Sequence, residues 1–171
     1  MRHAAISVFF FARGAIEKRV FIMASRRKGR ILAFQALYSW EACRPLISDL
    51  VSFSWRSSEK VALDESIANF SRLLITGAIE NIEDIDAMIK QHLENWDISR
   101  LGRVELAIIR MSVYSLMYQK ETPPSIVIDE AIGIAKEFGT DNSFKFVNGV
   151  LDSIRRSIQA EKREICLEKT E

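Results

Sequence analysis

Arg26-Arg27-Lys28-Gly29-Arg30-Ile31-Leu32-Ala33-Phe34-Gln35-Ala36-Leu37-Tyr38-Ser39-Trp40-Glu41-Ala42 is the stretch on which the fold turns. At about 100° per residue, Ile31, Leu32, Ala33, Phe34, Ala36, Leu37, Tyr38 and Trp40 cover most of a helix circumference. Only a narrow strip carrying Lys28, Gln35 and Ser39 stays polar. A helix apolar nearly all round must be surrounded by other elements, so this one is expected to be the axis of the molecule. Its entrance breaks a local rule. The partial positive charge of a helix N-terminus disfavours cations by typically ~0.3–1 kcal/mol each, yet Arg26, Arg27, Lys28 and Arg30 crowd it. A polyanion would reverse that sign, because helix N-termini bind phosphate and arginine pairs with it bidentately. On charge alone, nucleic-acid binding and a solvated basic arm are equally good readings.

Outward from this helix the chain stays helical. Pro45 and the serine-rich Ser52–Ser58 stretch make residues 43–63 a loop or short helix. Asp64 or Ser66 can cap a second helix through Ile67, Phe70, Leu73, Leu74 and Ala78. A third begins near Ile82, with Ile85, Met88, Ile89 and Leu93 at helical spacing, and Trp96 follows as an anchor between helices. A long helix opening near Ser99 runs through Val104, Ala107, Ile108, Met111, Tyr114 and Leu116 until Pro123-Pro124 ends it. A fifth covers about Val127 to Phe138, closed by Gly139 as a left-handed residue. Thr140 or Asp141 caps a sixth with Phe144, Val147, Leu151 and Ile154 as its stripe, and the charged tail from Ser157 frays. The pattern predicts an all-α bundle.

The 171 residues suffice for one domain with a real core. The net charge of +1 conceals an asymmetry, since residues 1–22 carry +3 and leave −2 for residues 23–171, so a nucleic-acid site must be a local basic patch. Residues 1–22 combine a short basic start with the apolar run Ala4–Ala12, a weak imitation of a secretory signal. Met23 directly before the basic arm makes a start there the preferred expectation, with 1–22 as a non-native or disordered extension, 23–158 as the folded domain and 159–171 as a charged tail. Cys43 and Cys166 show no framework or zinc spacing, which fits free thiols in a reducing cytoplasm. His92 has no partner at metal spacing, and neither a phosphate-cradling glycine loop nor a nucleophile elbow is present. Asp84, Asp86, Asp129 and Glu130 are read as acids at helix starts that complement the macrodipole. No catalysis, metal or cofactor is expected.

A second basic-aromatic element is Asn142-Ser143-Phe144-Lys145-Phe146, in which Phe146 falls off the core stripe beside Lys145. An exposed aromatic there would suit base stacking; packing against a neighbouring helix is the better reading from pattern alone. The basic arm and the helix after it resemble the opening of the NusB family of antitermination factors. So do Leu101-Gly102-Arg103-Val104-Glu105 leading into Ala107–Met111, the run Ile126–Ala131 with Ala135–Gly139, and, most specifically, Lys145-Phe146-Val147-Asn148-Gly149-Val150-Leu151-Asp152. The resemblance covers about residues 25–156.

It implies two roughly perpendicular helical sub-bundles sharing the first helix, and binding to boxA RNA of rRNA operons together with the ribosomal protein NusE, so that RNA polymerase reads through termination signals. Position by position, it implies RNA contacts for Arg26, Arg27, Lys28, Arg30, Gln35, Lys145 and Phe146. It implies a partner surface at Tyr38, Glu105 and Asn142, either as a monomer or as a homodimer. Gly29 and Ile31 stand where the family more often has alanine and glutamate, and Asn142 where aspartate is common; the glycine is expected to loosen the helix start. Two other readings stay open. A NusB-like domain also precedes certain rRNA cytosine methyltransferase domains, but no nucleotide-fold segment is found here. An RNA-binding or adaptor domain acting in rRNA maturation is the alternative.

Overall fold

A computed structural model describes residues 24–56, 63–93 and 97–168, and all its regular elements are helices. The extension 1–22, Met23, Trp96 and residues 57–62 fall outside the described residues, as do the last three of the charged tail. Helix α1 spans 24–43. It is followed by α2 (Ile47–Ser52) with a 3-10 turn at Ser54–Arg56, then α3 (Glu65–Glu80), α4 (Ile82–Gln91) and a second 3-10 turn at Ile98–Arg100. The chain is completed by α5 (Arg103–Tyr118), α6 (Pro124–Phe138) and α7 (Ser143–Glu168).

Leu32, Ala33, Phe34, Ala36 and Leu37 of α1 are buried, which makes this helix the axis its pattern predicts. Helix α5 is buried through nearly every residue from Leu106 to Leu116 and serves as a second axis. It packs against α3 and α4 on one side and α6 and α7 on the other, while α6 and α7 pack on each other. Burying a single Leu, Ile or Phe contributes about 1.5–3 kcal/mol, and one continuous cluster joins residues of α1 through α7.

Local chemistry sets the boundaries. Asp64 caps α3 by accepting from the Ser66 and Ile67 amides. Helix α1 ends at Arg44, whose left-handed φ of 48° lets its N–H reach the Trp40 carbonyl. Several expectations are corrected. Asp97 caps only the 3-10 turn, by accepting from the Ser99 amide, so α5 starts at Arg103 rather than near Ser99. Pro124 does not end α5 but opens α6, where a proline needs no amide partner. Gly139 is extended (φ −94°, ψ −173°) rather than left-handed. Glycine is needed there for space, because a Cβ would stand 2.6 Å from both the Ala135 carbonyl oxygen and Ser143 Cβ. Neither Thr140 nor Asp141 caps α7; the Ser143 hydroxyl accepts the Thr140 N–H at 2.8 Å instead. Helix α7 also continues past Ser157 to Glu168. Leu73, expected in the core stripe of α3, is half exposed.

A buried ion cluster ties three helices at the far end of α1. Arg110 of α5 donates to Asp86 of α4 through Nε (2.8 Å) and Nη2 (2.7 Å), and through Nη1 to Glu41 of α1. Burial would lower the Arg110 pKa, but the two carboxylates outweigh it and raise the pKa above the usual value. Asp86 is thus a partner in an interhelical cluster, not the helix-start acid its position suggests.

Candidate nucleic-acid interface

The open end of α1 places its four cations in different environments. Arg26 and Lys28 are exposed. Arg27 turns back onto α6, its Nη1 3.3 Å from Glu130 and its Nη2 3.2 Å from Glu137. Its side chain keeps 39% of its surface, against 20% for Glu130 and 50% for Glu137. Arg30 is only 4% exposed. Burial lowers its pKa below the usual guanidinium range, the Glu130 carboxylate pulls it back up, and neighbouring Arg26 pushes it down. Glu130 was expected to serve a helix start; it lies mid-way along α6, because that helix begins at Pro124, and its work is to neutralise Arg27 and Arg30. The arm is therefore two outward cations backed by two that are held against the protein's own carboxylates and core.

The first turn of α1 is seated on α3. Gly29 is buried, and a Cβ there would come within 2.7 Å of Phe70 Cδ1. Beside it, the Ser71 hydroxyl donates to the Gly29 carbonyl at 3.0 Å. The glycine is thus a seat for Phe70 rather than the loosening expected of it. Further along α1, Gln35 is half-buried on the strip of Lys28. Tyr38 is exposed beside Phe34, which itself packs against Phe138 of α6 at 5.1 Å between ring centroids.

The other candidate residues gather at the α5–α7 junction. Arg100, Leu101, Gly102, Glu105, Thr140, Asn142, Ser143 and Phe146 line a cleft of about 390 Å³. Glu105 accepts a short hydrogen bond from the Ser143 hydroxyl, which fixes the carboxylate at the cleft wall. Phe146 is half-buried against the core, as the packing reading of its pattern expected, and it also lines the cleft. Lys145 is exposed, with Nζ 5.9 Å from the Phe144 ring; Lys136 approaches the same ring at 5.0 Å. Glu105 and Asn142, assigned by resemblance to one surface, and Phe146, assigned to the other, thus share one cleft. Sequence reasoning did not find Phe70, Glu137, Arg100 or Ser143. Phe70 read as an ordinary core residue and Ser143 only as part of the basic-aromatic element, and it is the fold that brings them to the site. His92 is half-buried at the end of α4 and donates through Nδ1 to the Met88 carbonyl at 2.8 Å. Among the described residues no group of three His, Cys, Asp or Glu is placed to hold a metal ion, and no helix is long and apolar enough to cross a membrane.

Known proteins are similar to this chain in sequence and fold. The model of the NusB family matches residues 27–156. The transcription antitermination protein NusB of Treponema denticola is 55% identical over 130 residues, 76% of this chain and 95% of that protein. Its counterpart in Treponema pallidum is 47% identical over 138 residues, 81% of this chain and 97% of that protein. Among solved structures, T. maritima NusB aligns with a TM-score of 0.68 at 38% identity, covering 77% of this chain and 90% of that one. A crystal structure of antitermination factors NusB and NusE in complex with dsRNA contains a chain that aligns with a TM-score of 0.71 at 31% identity, covering 79% of this chain and 98% of that one.

Proposed function

The chain belongs to the NusB family, and from that premise we propose that it is a transcription antitermination factor that binds boxA-type single-stranded RNA of rRNA operons together with ribosomal protein NusE, within the antitermination complex of RNA polymerase. The observation that carries the RNA reading is the outward placement of Arg26 and Lys28 at the N-terminus of the central helix, where like charge is unfavourable without an anion. The crystallised NusB–NusE pair in complex with dsRNA supports it by likeness.

The four cations divide the labour. Arg26 and Lys28 meet phosphates directly, and affinity falls with salt as counterions are released. Arg27 is exposed enough to exchange a carboxylate for a phosphate, whereas Arg30 shapes the surface from beneath. Gln35 continues the polar strip toward the bases, and Lys145 with the visible edge of Phe146 extends the RNA path at the cleft. Tyr38, Glu105 and Asn142 take the partner, so the two surfaces adjoin at the cleft. The protein works by binding alone, without chemistry of its own, in the cytoplasm where the transcript emerges. An adaptor in rRNA maturation is the second reading, favoured by the engagement of Arg27 with Glu130 and Glu137.

Labelled boxA-type RNA titrated with the full chain, with and without NusE, separates the two. The antitermination reading predicts tighter binding when NusE is present, since the partner extends the surface. Equal binding in both arms would favour the adaptor.

A further inference from the structure

Arg26 and Arg30 stand one helical turn apart, a spacing at which like charges repel. One of them is nearly fully buried. What draws both to one place is a single ring. The Arg26 guanidinium carbon lies 4.2 Å from the centroid of Phe70, and that of Arg30 lies 5.3 Å from it, both within the ~6 Å reach of a cation–π contact. Phe70 sits on α3, and the missing Cβ of Gly29 is what leaves room for its ring beside the two arginines. The neighbouring Ser71 hydroxyl shares its single proton between the Gly29 carbonyl at 3.0 Å and the Ile67 carbonyl of its own helix at 2.8 Å.

The consequence concerns Arg26. Its side chain is exposed, yet its guanidinium rests on an aromatic platform that holds it in place. A long flexible cation normally gives up rotamer freedom when it binds. Here part of that freedom is already gone in the free protein, and the outer side of the guanidinium remains open to a phosphate or a base. We infer that Phe70, through the gap left by Gly29, is a positioning residue that preorganises Arg26 for RNA. This rests on the RNA-binding reading above and deepens it. Arg30, itself buried, approaches the same ring.

A double-mutant cycle on the full chain tests the inference, with binding to a labelled boxA-type RNA as the readout and helicity checked for each variant. Phe70→Leu removes the ring's electrostatic face while keeping an apolar side chain. It is expected to weaken RNA binding about 2- to 5-fold, the scale of an exposed cation–π contact. Arg26→Ala should then lose less affinity in the Phe70→Leu background than in the wild type, and Phe70→Tyr should restore most of the binding. If Phe70→Leu does not fold, Gly29→Ala replaces it, since the added methyl displaces the ring while favouring the helix. Equal Arg26→Ala losses in both backgrounds would overturn the inference and leave Phe70 as core alone. Failure of the wild-type chain to bind the RNA would instead overturn the RNA reading on which it stands.

Discussion

Replacing Glu137 by Gln removes half of the carboxylate grip on Arg27 without changing side-chain size. The pair is open to water, with 39% and 50% of the two side chains exposed, so its strength is that of a surface salt bridge, about 0.2–1 kcal/mol. RNA that recruits Arg27 must break this pair, and the wild type therefore loses that amount from its binding free energy. Glu137→Gln should tighten RNA binding by about 1.4- to 5-fold. The salt dependence should change as well. The steepening of log K against log salt should stay below about 0.7, the value of one full phosphate contact on a single strand, because Glu130 still holds Arg27 in the variant. Fluorescence anisotropy at several salt concentrations reads both quantities. The control is Glu161→Gln, an equally uncharged variant at an exposed α7 position that is not among the partners of Arg27. Equal gains in the two variants would show a general charge effect and refute the clamp.

Three further outcomes follow from the fold. Arg110→Met strands Glu41 and Asp86 as partly buried carboxylates, which should destabilise by about 3–5 kcal/mol and lower Tm by roughly 6–20 °C; a thermal melt within a degree of wild type would contradict it. Gly77→Ala drives a methyl to within 2.1 Å of the Tyr114 ring, so calorimetry should show a net loss of stability, about 1–3 kcal/mol of overpacking set against a gain of about 1 in helix propensity. Asp64→Ala should be less stable than wild type at neutral pH, the gap closing on acidification. The Ser66 hydroxyl and the Ile67 and Ser66 amides hold the Asp64 carboxyl below the usual carboxylate range. Its contribution is therefore present above the unfolded value near about 3.9 and lost as pH falls through the folded one. Denaturant melts at several pH values check this.

The helices were legible because one-dimensional periodicity reports them. The all-round apolar pattern of Ile31 to Trp40 announced a central helix, and Asp64 ahead of an apolar stripe announced a cap. What stayed hidden depends on contacts between residues distant in sequence. Nothing in the spacing of Glu130 or Asp86 shows that they meet Arg27 and Arg110, so both read as acids serving a helix start. Gly139 carried a turn signal, but its real constraint is the close approach of Ser143, which only the packed structure creates. The basic arm shows the same limit. Counting charges gave four equivalent cations; packing turned Arg30 inward, engaged Arg27 and left Arg26 and Lys28 to face outward. For that reason alanine at Arg27 and Arg30 mixes loss of internal contacts with loss of RNA contacts. Arg26 and Lys28 give the cleaner pair.

The most direct measurement is therefore the salt dependence of RNA affinity for the wild type and for Arg26→Ala/Lys28→Ala. Two phosphate contacts on single-stranded RNA correspond to a slope shallower by about 1.4 in the double variant, with weaker binding at low salt and unchanged helicity. A double variant that binds with the wild-type slope would contradict the claim that this end of the central helix is where RNA docks.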